Sequence, residues 1–244
     1  MPKFFIKPED AGEIVYLTED NYHHGAKVLR MKKGDKLTLC DGSLKDYEAE
    51  VDEITDKSII CKVISVRENN REPEVNITLF QGLPKGDKMS LICEKCVEAG
   101  VFKIVPVALE RCVVKLNPKE YEKKRERLSK IMLSASKQSG RGIVAEIEPL
   151  CSFKEMLERI KDYDLFLFPY ELEENTSLKS QIKGFEGKSI ALVIGPEGGF
   201  SQSEADTLIS SGAKSVSLGK RILRTETAGM ATIFNILYEL ENKP

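Results

Sequence analysis

The sequence predicts an α/β protein in two parts: a small N-terminal β-barrel and a larger domain built on a mostly parallel sheet. Three observations carry this. Up to about residue 70 the chain runs in short stretches rich in β-branched residues, separated by Gly/Asp turns. A polar stretch, "RENNREPE" at 67–74, then breaks the pattern, and Pro73 forbids a continuous helix there. Beyond it strands and helices alternate, which implies a parallel sheet covered on both faces. The expected domains are therefore residues 1–70 and 74–244.

In the first domain "EIVYL", "KLTLCDG", "DYEAEVDEIT" and "SIICKVISV" read as strands. In the second, "VNITLFQGL" is a strand, and Asp87 can cap a helix with Met89, Ile92, Cys93, Cys96 and Val97 on one face, stopped by Gly100. "FKIVPVAL" is the next strand. A long helix follows from Asn117-Pro118, a cap residue and a first-turn proline, to about Gly140. "DLFLFPY", "SIALVIG" and "SVSLG" are further strands, alternating with helices at about 152–160, 203–211 and 226–241.

No segment approaches the roughly eighteen continuous apolar residues of a membrane span, and the first residues lack a signal-peptide core, so a cytoplasmic location is expected. The six cysteines read as free thiols in a reducing compartment. Cys93 and Cys96 form a CxxC without a second ligand pair, so a helix-core role is expected and no metal. The two histidines, His23 and His24, read as RNA contacts or cap residues rather than metal ligands. The formal charge is −2, unevenly spread. Residues 23–36 hold five Lys/Arg and one Asp, and residues 111–141 hold ten Lys/Arg and three Glu. Two such basic segments on an acidic body fit either a phosphate-tracking surface or solvated faces.

Two glycine turns carry the chemistry. In "ALVIGPEGGFSQSEAD" an apolar strand ends at Gly195, and Ser201 with Glu204 forms a capping box, so a helix starts just after the glycines. Backbone amides and a helix N-terminus at the carboxyl end of a strand are where α/β sheets bind ligands. "LGKRILRTETAGM" repeats the arrangement, with Thr225, Glu226 and Thr227 entering a helix kept slim by Ala228 and Gly229. Ile222 and Leu223 fit either the walls of a ligand slot or a buried loop anchor. Two such loops make a slot suited to an adenine ring. Arg224 beside it has no obvious acid partner, the alternative being an ion pair with Glu226 or Glu197. Neither a GxGxxG nor a GxxxxGK[ST] is present.

"IGPEGGFS" (194–201) and "LGKRILRTETA" (218–228), with "KGDKM" (85–89), "EKCVEAGV" (94–101), "KQSGR" (137–141) and "HHGAKVLRMKKGD" (23–35), resemble the ribosomal RNA small subunit methyltransferase E family of knotted SPOUT methyltransferases. The resemblance spans nearly the whole chain. It implies a trefoil-knotted C-terminal domain, a PUA-like RNA-binding β-barrel at the N-terminus, S-adenosyl-L-methionine as methyl donor, a homodimer, and methylation of N3 of one uridine in 16S rRNA of the small ribosomal subunit. Carried over by position, Gly195, Glu197, Gly198 and Gly199 form one cofactor loop. Leu218, Gly219, Ile222, Leu223, Thr225, Glu226, Thr227 and Ala228 form the other, and Leu167, Phe168 and Pro169 supply a third wall.

For the reaction, Arg224 is expected to stabilise the anion that forms when uridine N3 loses its proton, with Arg141 or Arg30 contributing. Glu226 or Glu197 is the candidate proton acceptor, ranked below positioning and charge stabilisation. Lys27, Arg30, Lys32 and Lys33 are expected to grip RNA phosphates. The competing readings are ribose 2′-O methylation and a non-catalytic RNA-binding assembly factor.

Overall fold

The structure, a computed structural model, describes residues 1–115 and 118–241. They fall into two compact units, Met1–Glu72 with Ser136–Val144, and Pro73–Ala135 with Ala145–Pro244. Residues 136–144 thus group with the first unit, whereas the sequence placed them in the second domain.

The first unit contains β1 (Lys3–Phe5), β2 (Ile14–Leu17), α1 (Glu19–Tyr22), β3 (Lys36–Cys40), β4 (Lys45–Ile54) and β5 (Ile59–Glu68). The strands pair in the order β1-β3-β4-β5-β2, parallel between β1 and β3 and antiparallel elsewhere. Period-two alternation sends Val15, Leu17, Leu37 and Leu39 into one core with Phe4, Val51 and Ile59, while Ile14 and Tyr16 point out. β1 was not anticipated, because three residues are too few to display a period. Register shifts within the β4–β5 pair mark bulges, which bend and twist such a ribbon around its core.

Ser136–Val144 is fixed to this unit by a buried polar cluster. The Gly140 carbonyl accepts from Lys3 Nζ at 3.1 Å, Asn69 Nδ2 at 3.0 Å and Arg71 Nη1 at 3.2 Å. Lys3 Nζ also donates to Asp46 at 2.7 Å, so the buried cation and carboxylate satisfy each other. Gly140 sits at φ +75°, and a Cβ there would lie 2.1 Å from the Arg71 guanidinium. Glycine takes this left-handed backbone without the strain a Cβ brings and leaves the guanidinium its place.

The second unit contains β6 (Asn76–Gly82), α2 (Lys88–Glu98), β7 (Lys103–Ala108), α3 (Pro118–Ser139, whose last residues from Ser136 group with the first unit), β8 (Glu146–Ile147), β9 (Cys151–Ser152), α4 (Phe153–Glu158), β10 (Leu165–Pro169), α5 (Leu178–Ile182), β11 (Ser189–Ile194), α6 (Gln202–Ser210), β12 (Lys214–Val216) and α7 (Thr225–Glu241). The sheet order is β12-β10-β11-β6-β7-β8, with β9 also on β7, and every pairing is parallel. Side chains alternate between two cores. Ile190, Leu192 and Ile194 of β11 face the one that also holds residues of α2, α3 and α7. Ala191 and Val193 face the one that holds residues of α4 and α6.

In α2 the buried residues are Met89, Ile92, Cys93, Cys96 and Val97, the face expected from spacing, and Gly100 follows at φ +101°. Asp87 does not cap this helix with its side chain. Its backbone, at φ −91° and ψ 7°, is outside the extended region that aims a cap carboxylate at the first amides, and its Oδ1 meets Arg127 Nη2 at 3.2 Å instead. Asn117, expected to cap α3, lies outside the described residues. Both strand order and parallel sense put the carboxyl ends of β10, β11, β12 and β6 at one edge of this unit, where the two glycine loops leave the sheet.

Candidate active site

The first loop leaves β11 at Gly195. Its turn is closed by a 2.9 Å hydrogen bond from Gly199 N–H to the Pro196 carbonyl, with Gly199 at φ +66°. The loop folds back so tightly that a Cβ on Gly195 would sit 3.0 Å from the backbone of Gly199. Ser201 and Glu204 then form the expected capping box of α6. Glu204 also accepts from Glu110 N–H at 2.8 Å, so the cap anchors a neighbouring loop as well.

The second loop leaves β12, reverses at Gly219 (φ +107°) and enters α7. The Arg224 carbonyl accepts from Thr227 N–H and Ala228 N–H, both at 2.8 Å, which begins the helix. Thr225 joins the loops. Its hydroxyl donates to the Gly195 carbonyl at 2.7 Å and accepts from Gln81 Nε2 of β6 at 2.9 Å. All three residues are buried or nearly so, which makes this contact worth more than a surface hydrogen bond.

Between the loops lies a cavity of about 980 Å³. Of the residues expected to hold a cofactor, Pro169, Gly195, Glu197, Gly199, Leu218, Gly219, Ile222, Leu223, Thr225 and Ala228 line it, and so does Arg224. Leu167 and Phe168 do not. They are fully buried on opposite faces of the sheet, and only Pro169, where the strand ends, reaches the opening. Gly198 faces away: its carbonyl accepts from Arg111 Nη1 at 2.9 Å, and a Cβ on it would meet Arg111 at 3.2 Å. Thr227 and Glu226 lie one step along the helix, outside the lining. Ile222 is 84% exposed at the rim, so it is no buried anchor, whereas Leu218 and Leu223 pack partly against the core.

The charges are divided. Among the described residues neither Glu197 nor Glu226 pairs with Arg224; both turn to Lys88, at 2.8 and 3.5 Å. At 3.5 Å the second contact is an ion pair but not a hydrogen bond, and Glu226 Oε2 is buried without a hydrogen-bond donor. Burial pushes the Glu197 carboxyl up, but Lys88 and backbone amides outweigh it and hold the group below the usual carboxylate range. Lys88 is raised, chiefly by its bond to Glu197. Across the opening, the loop after β10 contributes Glu171, Glu173 and Glu174. Glu173 is fixed by Ser215 Oγ at 2.5 Å and by the amides of Asn175 and Thr176 at 2.9 Å, which lower its pKa. The opening is thus rimmed by acids from β10 and by Lys220, Arg221 and Arg224 from the second loop.

Residues 71–237 match the model of the RNA methyltransferase domain family, and residues 17–64 that of the RNA methyltransferase PUA domain. The chain is 34% identical to Bacillus subtilis ribosomal RNA small subunit methyltransferase E, over 92% of this chain and 90% of that protein. The chain belongs to the ribosomal RNA small subunit methyltransferase E family. It is 31% identical to the Aquifex aeolicus member, over 96% and 97% of the two chains. The crystal structure of the Neisseria gonorrhoeae member, bound to S-adenosyl methionine, superposes with a TM-score of 0.86 at 31% identity, covering 97% of this chain and 96% of that one.

In this member of the family, sequence reasoning passed over Lys88 as a site residue and missed the acidic loop 171–174 altogether. "KGDKM" was the available signal for Lys88. For the acids there was none, since "YELEENTS" reads as an ordinary polar loop until β10 is placed beside β11 and β12. In the first unit Lys27, Arg30, Lys32 and Lys33 are exposed. Arg141 is not: it is 4% exposed and its Nε meets both Glu72 carboxylate oxygens, at 3.2 and 3.1 Å. A guanidinium held this way is occupied in holding 136–144 to the first unit, so its place here is structural and not on an RNA-facing surface.

Proposed function

We propose that this chain transfers a methyl group from S-adenosyl-L-methionine to N3 of one uridine in 16S rRNA of the small ribosomal subunit. The observation that carries the reading is the Thr225 bridge, which fixes two glycine loops around one cavity at the carboxyl edge of a parallel sheet. The cavity's chemistry fits the donor. Gly195 and Gly199 line it without side chains, Leu218 and Leu223 offer aliphatic walls for a flat ring, and the acids at 171–174 suit a cationic ligand. When bound, that group supplies an electrophilic methyl on a sulfonium.

The chain's own residues then act on the acceptor. Arg224 lines the cavity and has no acid partner among the described residues, so its guanidinium is available to the carbonyl oxygens that take up charge as uridine N3 loses its proton. Glu226 sits outside the lining and toward Lys88, which favours charge stabilisation by Arg224 over general base catalysis by Glu226. Residues 1–70 are proposed as a PUA-like RNA-binding domain and 74–244 as the knotted methyltransferase domain. Support for the knot is the return of α7 onto α2, β6 and β11 after the chain has crossed to the far edge at β12. A homodimer is supported by Phe234 and Tyr238, stacked at 6.4 Å on α7 and 61% and 62% exposed.

The test compares modified nucleosides in small-subunit RNA from cells with and without the gene, by mass spectrometry. Loss of 3-methyluridine alone is the expected result. Loss of a ribose-methylated nucleoside instead would move the acceptor to O2′, and calorimetry showing no S-adenosylmethionine binding would leave only the scaffold reading.

A further inference from the structure

The loop between α1 and β3 combines three features that the phosphate-gripping role of its cations does not explain. Val28 and Leu29 are 58% and 41% exposed, two adjacent aliphatic side chains at the surface of a segment otherwise rich in charge. Residues His23–Val28 form a π-helical turn, a wide form found mostly as isolated turns at functional positions. Arg30 sits at φ +53°, a left-handed backbone that costs a branched or long residue energy and persists only where its surroundings enforce it.

The surroundings do enforce it. Gly25 is buried, and a Cβ on it would lie 2.5 Å from Ile59 Cδ1. The His24 ring meets the buried Phe4 ring edge-on at 5.8 Å. Leu29 N–H donates to the His24 carbonyl at 2.9 Å, and Met31 N–H to the Gly25 carbonyl at 3.0 Å, while the Met31 side chain enters the core. The reversal at Arg30 is what lets Met31 turn inward while Val28 and Leu29 stay outside. The aliphatic pair is therefore mounted on a rigid platform.

We propose that Val28 and Leu29 form a wedge that inserts between adjacent bases of the RNA, while Lys27, Arg30, Lys32 and Lys33 hold the phosphates around it. This rests on the reading that the chain acts on rRNA. The occupant is argued from charge: residues 23–36 hold five cations against one Asp, in a chain whose net charge is −2, so a polyanion is the complementary surface. Aliphatic side chains inserted at a base step unstack it, and enzymes that modify a base atom inside a helix take that base out of its stack. A rigid mount suits this, since a mobile loop would yield instead of parting the bases.

The test uses full-length protein and small ribosomal subunits from cells lacking the gene, probed with a reagent that modifies unstacked nucleotides. The wild type is expected to raise reactivity at one small cluster of nucleotides. Val28→Ser with Leu29→Ser should abolish that cluster while leaving thermal unfolding and the salt slope of binding unchanged. Val28→Ile with Leu29→Met should retain it. The proposal is overturned if the serine pair gives the wild-type pattern, if the wild type raises no reactivity, or if the serine pair alters only self-association. Because the readout needs no methyl transfer, a failed methylation assay sinks the proposed activity without touching the wedge, and a failed probing experiment does the reverse.

Discussion

Thr225 holds Gly195 by a 2.7 Å hydrogen bond across 30 residues of chain, and both residues line the cavity between the two glycine loops. Thr225→Val keeps the shape but strands the Gly195 carbonyl and one of the two Gln81 Nε2 hydrogens, the other staying on the Gly82 carbonyl at 3.0 Å. Leaving buried groups unpaired costs about 1–3 kcal/mol. A fall in S-adenosylmethionine affinity of about tenfold or more is expected by calorimetry, with Thr225→Ser near wild type. Equal affinity in the valine variant would mean the loops are held by something else.

Arg224→Ala should lower the single-turnover methylation rate by about 10²–10³, the usual effect of removing one donor from a developing oxyanion. S-adenosylmethionine binding should change little, because the guanidinium is assigned to the acceptor base. A near-normal rate at saturating RNA removes Arg224 from the chemistry.

The Lys88–Glu197 pair gives a pH signature. The Glu197 carboxyl is held below its ordinary 4.5 in the folded protein, so its contribution is present at neutral pH and is lost as pH falls through the folded value. The difference in melting temperature between wild type and Glu197→Gln should therefore be present at neutral pH and close below 4.5. A gap that persists unchanged under acid would show that the pair contributes nothing through charge.

Arg141→Met leaves the part-buried Glu72 carboxylate with the Gly142 N–H at 2.9 Å but without its cation, and breaking a buried pair costs up to about 3–5 kcal/mol. Chemical denaturation should show that loss, and the salt slope of RNA binding should be unaltered. A reduced slope with full stability would return Arg141 to the RNA-facing set.

Alanine at Lys27, Arg30, Lys32 or Lys33 should each lower the slope of log affinity against log salt by about 0.7–0.9, the value per phosphate neutralised. Filter binding to small-subunit RNA over a salt series measures it. A slope indifferent to all four substitutions would place the phosphate contacts elsewhere.

Much of this molecule was legible in one dimension, because local rules are written locally. The period of α2 named its five buried residues, Ser201 and Glu204 named a helix start, and the two glycine loops named two walls of the cavity. Short elements were not legible: β1, β8, β9 and α5 are too brief to show a period, and their pairing partners lie far along the chain. Asp87 had the right residue type for a cap, but its backbone and Arg127 drew its carboxylate elsewhere.

What the sequence determined by itself was therefore which of the longer segments are strands, which turns bend on glycine, and where the cations lie, since propensity, period and charge depend on near neighbours. Tertiary structure alone decided that Leu167 and Phe168 are core while Pro169 reaches the cavity, that Lys88 and the acids at 171–174 join it, and that Arg141 is spent on Glu72. Each of those outcomes depends on which distant segment a side chain meets, and only the order and register of the strands set that.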